Sequence, residues 1–264
     1  MREVDYVVTE PQPPAGIRLE RDGRIARITL DRPDRHNALE ASDVARIKAF
    51  LEEVDARRDV RVLVLTGAGD TTFCSGASLS QMQSGEMTGA IFETMTDRLA
   101  GLRVPTVCAL NGNVYGGGAE LALCCDFRLG VEGMRLLVPA ANLGVCYPVG
   151  GLARYVERLG LSTANRILLA AEEFDARELL RVGFLSQCIA RSNFHEAVSG
   201  LAERLADLAP LAVQGMKRIL LDTARGSLDR AEAERLIERC EQSSDLQEGL
   251  RAWRERRGPE FTGE

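Results

Sequence analysis

Two fragments of this 264-residue chain hold residue types that could do chemistry: Phe73-Cys74-Ser75-Gly76-Ala77-Ser78-Leu79 and Asn111-Gly112-Asn113-Val114-Tyr115-Gly116-Gly117-Gly118-Ala119-Glu120. The second follows an apolar run, residues 104–110, that reads as a buried strand. It precedes another, residues 121–125, that reads as a helix. Consecutive glycines at a strand-to-helix turn free the backbone from Cβ, and a helix start leaves N–H groups without intrahelical partners. Such a backbone can hold an oxygen that carries negative charge. Glu120 falls on the first helical turn, where its carboxylate could face the same pocket. Gly76-Ala77 forms a second glycine-bearing loop, beyond the apolar run 62–65. If the two strands are parallel neighbours, both loops leave the same end of the sheet and their N–H groups can converge on one carbonyl oxygen. Each donor of that kind is worth roughly 3–4 kcal/mol to an enolate or tetrahedral oxyanion. Glycines also permit tight turns with no chemistry attached, and the residues alone leave both readings open.

Other chemistries find little support. The chain has two histidines, His36 and His195, far apart, with no H-E-x-x-H or C-x-x-C pattern, which argues against a zinc site; no metal is expected. There is no G-x-S-x-G elbow and no Walker A loop. The two lysines, Lys48 and Lys217, lie in amphipathic helical patterns, which disfavours Schiff-base chemistry. Gly67-Ala68-Gly69 lacks the rest of a dinucleotide fingerprint.

The elements that must position the two loops are readable in order. Residues 1–14 look like a polar arm. Residues 17–30 read as a β-hairpin turning at Asp22-Gly23. A polar loop, 31–39, leads to a helix ending near Ala56, with Val44, Ile47, Leu51 and Val54 at helical spacing. Residues 80–89 read as a polar loop that could serve as a mobile lid, and 91–102 as a helix. After the glycine turn come strands at 127–131 and 134–138, a loop at 140–151, and then mostly helix: 152–159, 162–171, 176–182, 194–208, 210–224 and 229–254. A short strand at 185–189 interrupts them. Strands alternating with helices and then helices alone imply an α/β core with a helical C-terminal appendage. Leu236, Ile237 and Cys240 could face a partner subunit or pack on their own core.

The formal charge of −6 argues against a nucleic-acid partner, and no run approaches the length of a membrane span. The odd number of cysteines, seven, with several inside apolar runs, reads as reduced thiols in a cytoplasmic protein without a signal peptide.

Several motifs together resemble the crotonase family, also called enoyl-CoA hydratase/isomerase. They are Leu30-Asp31-Arg32-Pro33 with Asn37-Ala38-Leu39, Phe73-Cys74-Ser75-Gly76-Ala77, Asn111-Gly112 with Gly116-Gly117-Gly118-Ala119-Glu120, Leu143-Gly144, Gly150-Gly151, and Glu248-Gly249 with Phe261-Thr262-Gly263. The likeness spans residues 17–263. It implies an α/β fold built as a spiral of ββα units over residues 15–200, followed by a helical trimerisation region over 201–264, in a homotrimer or hexamer. It implies a coenzyme A thioester as ligand and no separate cofactor. Ala77 and Gly117 would supply the oxyanion hole and Glu120 a catalytic carboxylate. His36, Ala38, Cys74, Ser75, Gly76, Ser78, Leu79, Gly116 and Ala140 would lie along the substrate.

Two positions depart from the family pattern. Family hydratases place a second glutamate after a proline about twenty residues beyond the first; here Val138-Pro139-Ala140 puts alanine there. Position 78, commonly aspartate, is Ser78. The segment 142–147 resembles one that carries a pocket tyrosine in family acyl-CoA decarboxylases, which makes Tyr147 a candidate catalytic group. Those enzymes have histidine where this chain has Ala77. The expected function is therefore enolate chemistry on an acyl-CoA. Decarboxylation of a malonyl-type CoA and non-catalytic acyl-CoA binding stand as alternatives.

Overall fold

The computed structural model describes residues 16–264; the N-terminal arm expected at 1–14 lies outside them. The hairpin forms as β1 (Gly16–Asp22) and β2 (Ile25–Asp31), followed by α1 (Ala41–Ala56) and β3 (Val62–Gly67). Next come β4 (Thr72–Cys74), α2 (Leu79–Ser84), α3 (Gly89–Ala100), β5 (Thr106–Leu110), β6 (Asn113–Tyr115) and α4 (Gly117–Leu123). They are followed by β7 (Phe127–Val131), β8 (Arg135–Leu137), α5 (Val149–Leu168), β9 (Phe174–Asp175), α6 (Ala176–Arg181) and β10 (Gln187–Ile189). The chain closes with α7 (Phe194–Ala206), α8 (Pro210–Ala224), α9 (Arg230–Glu241) and α10 (Ser244–Glu255).

The strands form two sheets. One runs β1-β2-β3-β5-β7-β10 and the other β4-β6-β8-β9. β3, β5 and β7 are consecutive parallel neighbours, and so are β4, β6 and β8. Each pass of the chain thus lays one strand in each sheet before the next helix, which is a ββα spiral. Alternation along each large-sheet strand divides the core. Leu63, Leu65, Cys108 and Leu110 face the main core between the sheets, while Val62, Val64, Val107 and Ala109 pack under Val198, Leu201 and Ala202 of α7. The expected domain boundary at 200/201 falls inside α7.

Three local expectations need correction, and a fourth is met. The stretch 80–89 is not a loop throughout, because residues 79–84 form α2, which stops at Gly85 in the left-handed region (φ 80°). The glycine turn does not follow β5 directly. β6 intervenes, too short at three residues for its alternation to register in sequence. The two helices expected at 152–159 and 162–171 are the two halves of α5, which starts at Val149 and breaks between them at Gly160 (φ 74°, ψ 160°). The single helix expected at 229–254 is two, because Ser243 caps a new start, its hydroxyl accepting from the Leu246 amide. All seven cysteines are unpaired, and no helix among the described residues is long and apolar enough to cross a membrane.

Candidate active site

Because β3 and β5 are parallel neighbours, the loops that follow them leave the same end of the sheet. β4 and β6 then carry those loops side by side. The contact is close: a Cβ added to Gly76 (φ +83°) would stand 2.5 Å from the Gly117 nitrogen, so only glycine lets the two loops meet. Ala77 follows Gly76 and Gly117 opens α4. Neither of their N–H groups donates to a protein acceptor among the described residues. Both residues line one cavity of about 730 Å³.

The loop 36–39 braces this arrangement. His36 and Asn37 both sit at φ 53°, a conformation that costs energy outside glycine and is held here by dense bonding. The Asn37 amide donates to the Ala68 and Thr72 carbonyls (3.0 and 2.9 Å). The Leu39 amide donates to the Gly76 carbonyl, and the Ser78 amide to the Leu39 carbonyl, each at 2.8 Å.

Glu120 is buried at the cavity wall. Its Oε1 accepts from the Thr96 hydroxyl (2.9 Å) and from Arg154 Nη1 (2.8 Å). Its Oε2 accepts no hydrogen bond from the described residues and is not sealed off, which leaves that oxygen for a ligand. Burial pushes the Glu120 carboxyl above the ordinary glutamate range, against the opposing pull of the Thr96 hydrogen bond and the Arg154 charge. The other cavity carboxylate, Glu40, is occupied: Arg32 and Arg35 bind its two oxygens at 2.8 and 3.2 Å. The Arg32 bond in particular holds Glu40 below the ordinary range.

Ala140 lines the cavity with a methyl group. Tyr147 lines it too, and its hydroxyl would lie 3.9 Å from a Cβ on Gly116, close to the glycine turn. Burial and the nearby Glu120 charge raise the Tyr147 phenol well above its usual value, so it stays protonated and can donate. The rest of the wall is largely apolar, including Met82, Met87, Phe92, Leu143, Val145 and Pro148.

The model of the enoyl-CoA hydratase/isomerase family matches residues 20–264. The chain belongs to this family. The short-chain-enoyl-CoA hydratase of Clostridium acetobutylicum is 29% identical over 247 residues, covering 90% of this chain and 94% of that protein. A carnitinyl-CoA dehydratase of Salmonella arizonae is 33% identical over 259 residues, covering 94% and 98%. The solved structure of an enoyl-CoA hydratase/carnithine racemase from Magnetospirillum magneticum shares the fold with a TM-score of 0.88 at 30% identity, covering 94% of this chain and 96% of that one. The spiral described above is thus the crotonase fold of an acyl-CoA enzyme family.

Within that fold the cavity gathers Ala38, Ser75, Ala77, Ser78, Leu79, Gly116, Gly117, Glu120, Ala140 and Tyr147 from the sequence-derived set. Three others do not line it. The His36 ring bonds the Thr72 hydroxyl at 3.0 Å. Cys74 is buried, donates to the Asn37 carbonyl, and has its thiol pushed up to about 12 by burial. Gly76 serves as the contact with Gly117. Sequence reasoning missed Thr96 and Arg154. Thr96 looks like any threonine on an amphipathic helix. Arg154 did carry a signal: a charged residue between Ala153 and Tyr155, on a helix face that would otherwise bury cleanly, three residues after a Gly-Gly pair.

Proposed function

We propose that this protein moves the α-proton of an acyl-CoA thioester through an enolate, with Glu120 as the single base, and that its reaction is of the double-bond isomerising kind. The observation that carries this reading is the pairing of one open carboxylate oxygen, Glu120 Oε2, with the methyl of Ala140 where a second carboxylate would stand. The thioester carbonyl would accept from the Ala77 and Gly117 amides. Both are free of acceptors among the described residues, and a rigid pair of amides stabilises the negative charge that builds on that oxygen. Glu120 would take the α-proton on Oε2. Its raised proton affinity suits a base that must also return the proton. Isomerisation needs only this one shuttle: the proton leaves the α-carbon and the same group delivers it to the γ-carbon. Hydration needs a second group to activate water, and Ala140 has no polar atom to do so. The test is conversion of a 3-enoyl-CoA to the 2-enoyl-CoA, set beside hydration of crotonyl-CoA. Isomerisation outpacing hydration supports the reading, and hydration as the faster reaction contradicts it.

The Tyr147 hydroxyl favours a second reading. It faces the same cavity protonated and without a partner among the described residues, and would hydrogen-bond a substrate carboxylate. Loss of CO2 from a malonyl-type thioester forms the enolate directly and requires no base. Release of CO2 from methylmalonyl-CoA that falls at least tenfold in Tyr147→Phe supports this second reading; no release across a malonyl series excludes it.

A further inference from the structure

Glu120 is the inner end of a chain of charges that reaches the surface. Its Oε1 receives Arg154 Nη1, and the same nitrogen donates to the Thr96 hydroxyl at 3.2 Å. Thr96 in turn donates to Oε1, so the three groups close a triangle. The other arm of the guanidinium, Nη2, is in close ion contact with Asp97 Oδ1. The Arg154 side chain is 6% exposed, Glu120 3% and Asp97 59%. The Arg154 Nε is buried with no partner among the described residues, which hold the guanidinium by its two ends alone.

We propose that Asp97 is a positioning residue for the reaction: it shares the guanidinium of Arg154 with Glu120, and by doing so sets both the place and the proton affinity of the base. This rests on the reading of Glu120 as base given above. An arginine whose whole charge fell on Glu120 would make it a weaker base. An arginine that also answers Asp97 leaves Glu120 able to accept a proton. Every charged or titratable group facing Glu120 is consistent with this arrangement. From α3 come Glu93 and Asp97, both negative, with Glu93 anchored by the Gly150 amide at 2.8 Å. From α5 come Arg154, the one positive partner among the described residues, and Tyr155, whose buried hydroxyl has no partner among them. Cys124 on the following turn and Tyr147 across the cavity are neutral, both thiol and phenol being raised by burial. Removing Asp97 therefore leaves Arg154 nearly unopposed, and Glu120 should release its proton more readily. Removing the Arg154 charge should do the reverse.

The test is a titration of the Glu120 side chain in protein labelled with 13C at glutamate carboxyl groups, the resonance assigned by its loss in Glu120→Gln. The expected result is a midpoint lowered by roughly half to one pH unit in Asp97→Asn and raised by at least one in Arg154→Gln. The acidic limb of the α-proton exchange rate should move with it. Displacements in opposite directions are not produced by simple loosening of the site. A midpoint unmoved in Asp97→Asn, or moved the same way in both variants, overturns the proposal. If Arg154→Gln does not fold, Asp97→Asn decides alone, since its residue is exposed and its change conserves shape. Opposed midpoints in a protein that exchanges no α-proton would uphold the charge chain and refute Glu120 as base. Exchange whose acidic limb ignores Asp97→Asn would uphold the base and refute the chain.

Discussion

Gly151 lies so close against Glu120 that a methyl group on it would stand 2.9 Å from the carboxyl carbon and from Oε2. The start of α5 is therefore a wall that fixes where the base can point, and the same helix supplies Arg154 one turn later.

Gly151→Ala should push the carboxylate off its place without touching the amides of Ala77 and Gly117. A displacement near 1 Å costs on the order of 10²-fold in rate. The expected outcome is that loss in kcat, with acyl-CoA affinity within a few-fold of wild type by calorimetry. Unchanged kcat would mean that Glu120 does not need this position.

Ala140→Glu should restore a second carboxylate to the cavity. The side chain would enter open space from the wall. A correctly placed acid–base group contributes about 10²–10⁴-fold, so crotonyl-CoA hydration should rise at least tenfold even in an imperfect geometry. Hydration that stays at the wild-type rate would show that the alanine is not what limits it.

The C-terminal tail should respond to acid. Glu248 accepts from Arg257, Arg251 and the Glu260 amide, and the Arg257 hydrogen bond is the main reason its carboxyl is held down at about 2. A carboxylate depressed in the folded state stabilises it fully above the ordinary value of 4.5 and ceases to do so as pH falls through about 2. The protection of the Glu260 amide against hydrogen exchange should hold above pH 5 and fade across that interval. Protection that persists below pH 2 would show that Glu248 does not anchor the tail.

The long elements and both glycine loops were legible in the sequence because each has a strong local cause. Val44, Ile47, Leu51 and Val54 recur at helical spacing, and Asp22-Gly23 ends one strand and starts another. The second sheet was only partly legible: β4 and β6, at three residues each, are too short to show a period and owe their form to pairing with each other. The site divided in the same way. Ala77, Gly117, Glu120 and Ala140 announce themselves through glycine spacing and family pattern, and all line the cavity. Thr96 and Arg154 reach Glu120 from residues 24 and 34 positions away; Thr96 leaves no mark in its helix pattern, and the charge on the burying face of α5 marks Arg154 without naming its partner. That convergence is a product of how α3 and α5 pack on α4, which a one-dimensional reading does not contain.

The central claim is that Glu120 removes an α-proton from a thioester held by the Ala77 and Gly117 amides. Its most direct test is incubation with butyryl-CoA in heavy water, following deuterium at the α-carbon by mass spectrometry, beside Glu120→Gln. The account predicts incorporation by the wild-type protein and a loss of at least 10²-fold in the variant, with binding retained. Exchange that persists in Glu120→Gln, or a wild-type protein that binds the thioester and exchanges nothing, would contradict it.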